Sequence, residues 1–289
     1  MMTSHTELTL QQIEDYKSDG YLFMDDVLSS EEVEELREAC ASAQISVLRS
    51  QQDYENNTVH SLGITALHPA ILRLAKHPAI VSKITPLIGA NIQLQHSKLA
   101  TKPPSKGRGI FPWHQDYAFY PHTNTDLLSV MIMLDDATPE NGCMSMVKGS
   151  HRFGLLSHEK NGSFSPECQE SRYWTSEEYE VVDITPRAGG ISIHHCLTLH
   201  GSVANQSGKP RRGIVFSYRA DDAYQMADTI FDDTGMLISG TKQGIVRCDV
   251  GTVWLPVRPF WGNTYGSAWN QEGPFAQRTN ESENSSLQK

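Results

Sequence analysis

Residues 92–102 read IQLQHSKLATK, and the alternation of apolar and polar side chains there marks the point at which the chain's period changes to two. Three further windows repeat the signal. LLSVMIMLDD at 127–136 is a dense apolar run, and GGISIHHCLTLHGS at 189–202 and GIVFSYRA at 213–220 follow it. Clusters of Gly, Pro and Asn, such as TPENG and NQSGKP, punctuate the gaps between windows. Short strands without βαβ alternation point to an antiparallel sandwich or barrel, jelly rolls included.

Upstream of this core the pattern is helical. TLQQIEDYKSDG at 9–20 places Leu10, Ile13 and Tyr16 at helical spacing and closes on Gly20. Ser29 and Ser30 precede the Glu-rich EEVEELREACASA, a capped second helix, and YLFMDDVL between the two reads as a strand. ILRLAKHPAIVSKITPLIG at 71–89 is amphipathic, with Pro78 and Pro86 expected to split it into two short helices. Downstream, QEGPFAQRTNESENSSLQK at 271–289 is polar and aromatic-poor, and is expected to be disordered. One domain over 1–270 is expected, with a helical part over about 9–90 and a β core over about 91–260.

The formal net charge of −10, with Lys209–Arg212 as the only basic cluster, argues against a nucleic-acid partner. No apolar run of about 18 residues suggests a membrane span, and the polar opening MMTSHTELTLQQ does not resemble a signal peptide. A cytoplasmic location is the expectation. Five cysteines, an odd number without a CxxC pair, fit buried thiols in a reducing compartment.

The chemistry concentrates in PWHQDYAFYP at 112–121. In an extended chain residues two apart share a face, so His114 and Asp116 would bring an imidazole and a carboxylate to one point. Two histidines and one carboxylate on one side of a metal leave the opposite side open for O2 and an organic chelator. His-x-Asp alone is not specific, since about one such triplet arises by chance in a chain of this size. LHGSVANQSGKPRRG at 199–213 supplies the context: His200 ends a strand pattern, and two arginines open the next strand after a polar turn. A guanidinium suits the distal carboxylate of a metal-chelated 2-oxoacid because it binds carboxylates through two parallel hydrogen bonds. Arg211 and Arg212 must point to opposite faces, and the alternation of Ile214, Phe216 and Tyr218 does not decide which of them is inward.

The pieces KPPSKGRGIFPWHQDYAFYP, DLLSVMIMLDDATPENGC, KGSH and LHGSVANQSGKPRRG, in this order and spacing, resemble the phytanoyl-CoA dioxygenase family of Fe(II)/2-oxoglutarate oxygenases. They cover most of 98–219, and DGYLFMDDVLSSEEVEELR resembles the family's opening. The resemblance implies a mainly β fold with flanking helices, a double-stranded β-helix of the cupin-like jelly-roll type. It implies His114, Asp116 and His200 as ligands to Fe(II), 2-oxoglutarate as co-substrate with its distal carboxylate on Arg211, and O2 as oxidant. Gln115 and Lys98 match positions that approach the co-substrate or substrate, although for Lys98 and Lys102 a solvated strand edge is the simpler reading.

Two turns depart from the family pattern: AGG stands where an acidic residue usually follows the glycine, and KGSH replaces PGSH. Asp116 separates the chain from halogenating relatives, which lack this carboxylate. The expected activity is oxidation of a small organic molecule, most simply hydroxylation, with release of succinate and CO2. A natural-product intermediate, an acyl-CoA and a phosphonate are the substrate candidates. A non-catalytic protein or an oxoacid-independent cupin-like metalloprotein is the rival reading. His194 and His195 are expected to pack or to support the ligands, Asn205 and Ser207 to order their turn, and Trp113, Tyr117, Phe119 and Tyr120 to pack or to line a pocket. Residues 55–70, 103–111, 160–180 and 221–250 read as long connections able to cover it. Exposed edges of such β-helices commonly support homodimers.

Overall fold

Thr9 and Ser29 each accept a hydrogen bond from the backbone N–H three residues on, while Gln12 and Glu32 reach back to the cap N–H. These reciprocal caps meet donors that a helix start leaves unpaired, and they begin α1 (Leu10–Asp19) and α2 (Ser30–Ala41). α1 stops at Gly20, whose φ of 84° is left-handed. In the computed structural model, residues 7–42, 44–45, 59–227, 231, 233–253 and 255 are described; the expectation for 271–289 lies outside them.

Helices α3 (Pro69–Ala75) and α4 (Pro78–Ile88) both start on proline, where no intrahelical N–H is needed. The expected split of 71–89 therefore falls at Pro78 alone. Pro86 sits inside α4, where its missing N–H costs one bond near the helix end while Ile84 and Ile88 stay buried.

The strands are β1 (Tyr21–Met24), β2 (Val59–Leu62), β3 (Ile92–Lys102), β4 (Phe111–His114), β5 (Leu127–Met133), β6 (Met144–Val147), β7 (Glu159–Lys160), β8 (Ser163–Phe164), β9 (Val181–Ile184), β10 (Ile191–His195), β11 (His200–Ser202), β12 (Arg211–Ala220) and β13 (Met236–Ser239). A large antiparallel sheet runs β1-β10-β5-β12-β3-β13 with β2 also on β3, and a small one runs β4-β11-β6-β9. β7 and β8 form a hairpin of their own. The molecule is a mainly β jelly roll with helices laid on the outer face of the large sheet. Two readings of the sequence change. The window 189–202 holds two strands in different sheets, β10 and β11, and the connections at 55–70 and 221–250 carry β2 and β13.

On that outer face Leu94, Leu99, Ile132, Ile193, Ile214, Phe216 and Tyr218 pack with Ile71, Leu74, Ile80 and Ile84 of α3 and α4 into the main apolar core. Leu94 and Leu99 have opposite parity, so regular alternation would put them on opposite faces. A bulge reconciles them: Ser217 pairs with His96 but Tyr218 pairs with Leu94, leaving Gln95 without a partner in the ladder. Beyond the bulge, Lys98 and Ala100 face inward.

Cys40, Cys143, Cys168 and Cys196 are buried free thiols, as expected, but Cys248 is exposed. Among the described residues no helix is long and apolar enough to cross a membrane.

Candidate metal centre

His114 closes β4 and His200 opens β11, and the two are directly paired across the small sheet, with ring centroids 4.1 Å apart. Gln115 stays extended (φ −112°, ψ 131°) before the chain turns into the short 3-10 helix Asp116–Ala118. His114 and Asp116 therefore share a face, although the strand itself ends at His114. One ligand atom from each of His114, Asp116 and His200 lies within 4.8 Å of the others; Asp116 Oδ1 is 3.7 Å from His114 Nε2 and 4.0 Å from His200 Nε2.

The hydrogen bonds behind these rings fix which nitrogen is offered. His114 Nδ1 lies 2.8 Å from the Pro112 carbonyl and His200 Nδ1 lies 2.9 Å from that of Thr198. A carbonyl oxygen only accepts, so each Nδ1 carries the proton and each Nε2 turns a bare lone pair toward Asp116. Burial, then the neighbouring His200, holds His114 well below its usual range. Burial, then His194, brings His200 down to about 4. Both imidazoles are thus neutral at physiological pH, the state in which imidazole binds a metal.

The second oxygen of Asp116 is tied to the large sheet. Ser129 Oγ donates to Oδ2 at 2.7 Å, and His194 Nε2 lies 3.3 Å from it. Ser129 is linked to Ser217 Oγ at 2.8 Å, and Ser217 to His96 Nε2 at 3.3 Å. Burial alone would raise the Asp116 carboxyl, but the hydrogen bond from His194 and its electrostatic surroundings, Lys98 among them, hold it well below the usual carboxylate range. Two neutral imidazoles and one carboxylate on one side of a point are a donor set for a divalent first-row metal, iron among them.

The triad lines a cleft of about 520 Å³, counted to its open mouth, whose walls include Lys98, Ala100, Phe111, Met131, Met144, Val215 and Arg211. The structure resolves the choice between the two arginines. Arg212 shares its face with Ile214, Phe216 and Tyr218 and is clamped by Asp135 through bonds of 2.9 and 2.7 Å. Arg211 points into the cleft at 3% exposure. One of its terminal nitrogens donates to the Gly142 carbonyl at 2.9 Å, and its buried Nε has no hydrogen-bond partner. Burial lowers its pKa to about 10. A guanidinium this buried and incompletely satisfied is suited to receive an anion.

The chain matches the family model "Phytanoyl-CoA dioxygenase (PhyH)" over residues 16–213. It belongs to the phytanoyl-CoA dioxygenase family. Over 247 residues it is 31% identical to the "Probable alpha-ketoglutarate-dependent hypophosphite dioxygenase" of Stutzerimonas stutzeri, covering 80% of this chain and 86% of that protein. Among solved structures, the non-heme alpha ketoglutarate dependent carbocyclase SnoK from nogalamycin biosynthesis aligns with a TM-score of 0.65 and 25% identity, over 83% of this chain and 96% of SnoK. EctD from Sphingopyxis alaskensis, solved with 2-oxoglutarate and 5-hydroxyectoine, has a similar fold, with a TM-score of 0.66 at 21% identity over 86% and 90% of the two chains.

The remaining family positions divide. Gln115 is fully buried and turned away from the cleft; its amide donates to the Gly154 and Leu197 carbonyls at 2.8 and 2.7 Å and accepts from Leu156 N at 2.7 Å. With donor and acceptor both engaged by loop backbone, it braces the turn behind the metal centre rather than the co-substrate. Lys102 is not on a solvated edge: it is fully buried, and its ammonium donates to the Gly109 and Val203 carbonyls. Burial, then the neighbouring Arg211, pushes it down to about 6. Lys98 is not on an edge either, since β2 and β12 flank β3 there and the side chain enters the cleft.

His194 supports Asp116 as expected, while His195 lies 6.5 Å from the ring of Tyr16 and 5.4 Å from that of His151. Phe119 meets His114 edge-on at 5.6 Å, and Trp113 stacks on Trp174. Asn205 orders its turn through the Pro103 and Lys209 carbonyls. Sequence reasoning missed Ser129, Ser217 and His96. Their one signal was shared parity with inward residues of strands already identified.

Proposed function

We propose that this chain is an Fe(II)- and 2-oxoglutarate-dependent dioxygenase that hydroxylates a small organic molecule. The observation that carries the reading is one cleft with the His114, Asp116 and His200 donors in its wall and the incompletely satisfied Arg211 guanidinium in the same lining. His114 Nε2, His200 Nε2 and Asp116 Oδ1 would hold the iron, and Arg211 would pair with the distal carboxylate of the oxoacid. When bound, that pair supplies O2 activation, the oxoacid leaving as succinate and CO2.

The chain's own residues orient and shield. Pro112 and Thr198 fix the imidazole tautomers, Ser129 and His194 hold the unliganded oxygen of Asp116, and Met131, Met144 and Val215 provide apolar walls that exclude water. Asp116 fills the position whose loss accompanies halogenation in relatives, which favours oxygenation. SnoK acts in the biosynthesis of a natural product, and this supports a natural-product intermediate as the substrate.

Anaerobic titration of apo-protein with Fe(II) and then 2-oxoglutarate should produce a weak visible charge-transfer band only when both are present. Arg211→Ala should weaken oxoacid binding by at least about tenfold and leave iron binding in place. Unchanged oxoacid affinity in Arg211→Ala, or no band with folded wild-type protein, would reject the assignment.

A further inference from the structure

Trp113 and the aromatic residues packed beyond it have no part in the reaction as described so far. The indole sits beside the metal donors. Trp113 precedes His114 in β4, and Gly201, which follows His200, lets the ring come close: a Cβ on Gly201 would meet it at 3.0 Å. The same ring stacks on Trp174 of the short helix Arg172–Thr175, with centroids 5.5 Å apart and planes inclined by 14°. Tyr173 is the chain neighbour of Trp174, and its ring lies 4.9 Å from that of Tyr179. All four rings pack on one small cluster with Val147, Leu156 and Leu199.

Indole and phenol are among the side chains that lose an electron most readily, and rings in contact pass charge far faster than rings held apart. The two tyrosines differ in a way that sets the end of the row. Arg172 lies over the Tyr173 ring at 4.7 Å and donates to its hydroxyl at 2.9 Å, and a cation on the ring face opposes loss of an electron. Tyr173 is buried, whereas Tyr179 is half-buried and its hydroxyl donates to the Glu178 carboxylate. A phenol that loses an electron becomes a strong acid, and Glu178 is placed to take its proton. On the premise of the function proposed above, the oxoacid can be consumed with no substrate in the cleft. Succinate and CO2 then leave, and two oxidising equivalents stay at the metal centre, close to Trp113 and to the cleft residues Met131 and Met144, which they would damage.

We propose that Trp113, Trp174, Tyr173 and Tyr179 form a conduit that carries those equivalents to the surface, where a soluble one-electron reductant such as ascorbate quenches them. Each passage moves one electron inward. Trp113 gives up an electron to the metal centre and is refilled from Trp174, Trp174 from Tyr173, and Tyr173 from Tyr179, whose proton passes to Glu178. Ascorbate returns a hydrogen atom to the Tyr179 radical, and Glu178 releases its proton to solvent. Two passages, with two protons taken up from solvent through the cleft, reduce the second oxygen atom of O2 to water and restore the ferrous state. The chain thereby gains a second activity, oxoacid-dependent oxidation of a reductant while the cleft is empty.

The test mixes anaerobic protein, loaded with Fe(II) and 2-oxoglutarate, with O2 in the absence of substrate. Samples carrying ordinary or ring-deuterated tyrosine are freeze-quenched for electron paramagnetic resonance, and succinate is measured alongside. Wild-type protein should show an organic radical whose spectrum narrows on tyrosine deuteration and which ascorbate abolishes. Tyr179→Phe keeps the ring and its packing, removes only the hydroxyl, and should lose that signal. Trp174→Phe should lose it as well, Glu178→Gln should delay it, and Tyr224→Phe, at an exposed tyrosine elsewhere, should leave it intact. With ascorbate present, peptide mass mapping should find more single-oxygen additions on Trp113, Met131 and Met144 in Tyr179→Phe and Trp174→Phe than in wild type. Succinate formed without a tyrosine-derived radical, or a radical that survives Tyr179→Phe or Trp174→Phe, overturns the proposal and leaves the proposed function standing. No succinate from folded wild-type protein rejects the proposed function, and the conduit falls with it. Melting temperatures of the variants separate loss of the conduit from loss of the fold.

Discussion

The two faces of the large sheet are about equally buried and chemically opposite. Toward the helices, Leu94, Leu99, Ile132, Ile214 and Phe216 pack in an apolar layer. Toward the small sheet, the same strands present His96, Lys98, Ser129, His194, Arg211 and Ser217, most of them shielded from solvent. The first face holds the molecule together through buried apolar area. The second keeps polar groups out of water at a cost in stability, and recovers part of it through the chain running from His96 through Ser217 and Ser129 to Asp116. Stability and function are thus divided between faces of the same strands.

Substitutions can break that division. The largest effect is expected at Phe216, fully buried on the helix side. Phe216→Ala should cost about 3–5 kcal/mol in denaturant unfolding, while iron affinity of the remaining folded protein stays near wild type. A matching loss of iron affinity would show that the two faces are not separable.

On the other face, Ser129→Ala removes the 2.7 Å donor to Asp116 Oδ2. It should lower iron affinity by about 10- to 100-fold, as loss of a hydrogen bond behind a ligand commonly does, and shift the melting temperature little. Metal-loading titration and thermal unfolding of the same sample check both halves.

The effect that sharpens the comparison is with pH. His96, His122 and His195 are pushed to about 3 and His158 and His200 to about 4, in each case chiefly by burial, from 6.5 in the unfolded chain. Between these values the unfolded state binds more protons than the folded one, so stability rises with pH there. The contribution is complete above about pH 6.5 and is lost as pH falls toward 4 and then 3. Unfolding midpoints measured from pH 8 to pH 4 should decline below about 6.5. Replacing His96 with Gln should flatten that decline, whereas a change on the apolar face should lower the whole curve without altering its shape.

The helix caps, β3, and the grouping of His114, Asp116 and His200 were legible in the sequence because each depends on local chemistry: Thr9 and Ser29 as caps, alternation over 92–102, and a two-residue offset. The division of 189–202 between two sheets was not legible, since Cys196 to Leu199 contain neither Gly nor Pro to mark the crossing. Nor was the inward arginine. Ile214, Phe216 and Tyr218 form an apolar row, but which side of the sheet the helices cover is a tertiary fact, and it alone places Arg212 outside with Asp135. The bulge at Gln95 escaped for a similar reason, because a one-residue slip leaves no mark in composition. Gln115 was placed beside the oxoacid by resemblance, whereas Gly154, Leu156 and Leu197 converge on its amide only in the folded chain.

Asp116 offers Oδ1 to the histidines of the small sheet and Oδ2 to Ser129 and His194 of the large one. Mechanically it is a rivet between the two layers, and a metal seated on Oδ1 would tighten it. Breathing of the sandwich would then be damped by metal loading, and amide hydrogens of β5 and β11 should exchange with solvent more slowly in the loaded protein, although neither strand would gain a backbone hydrogen bond.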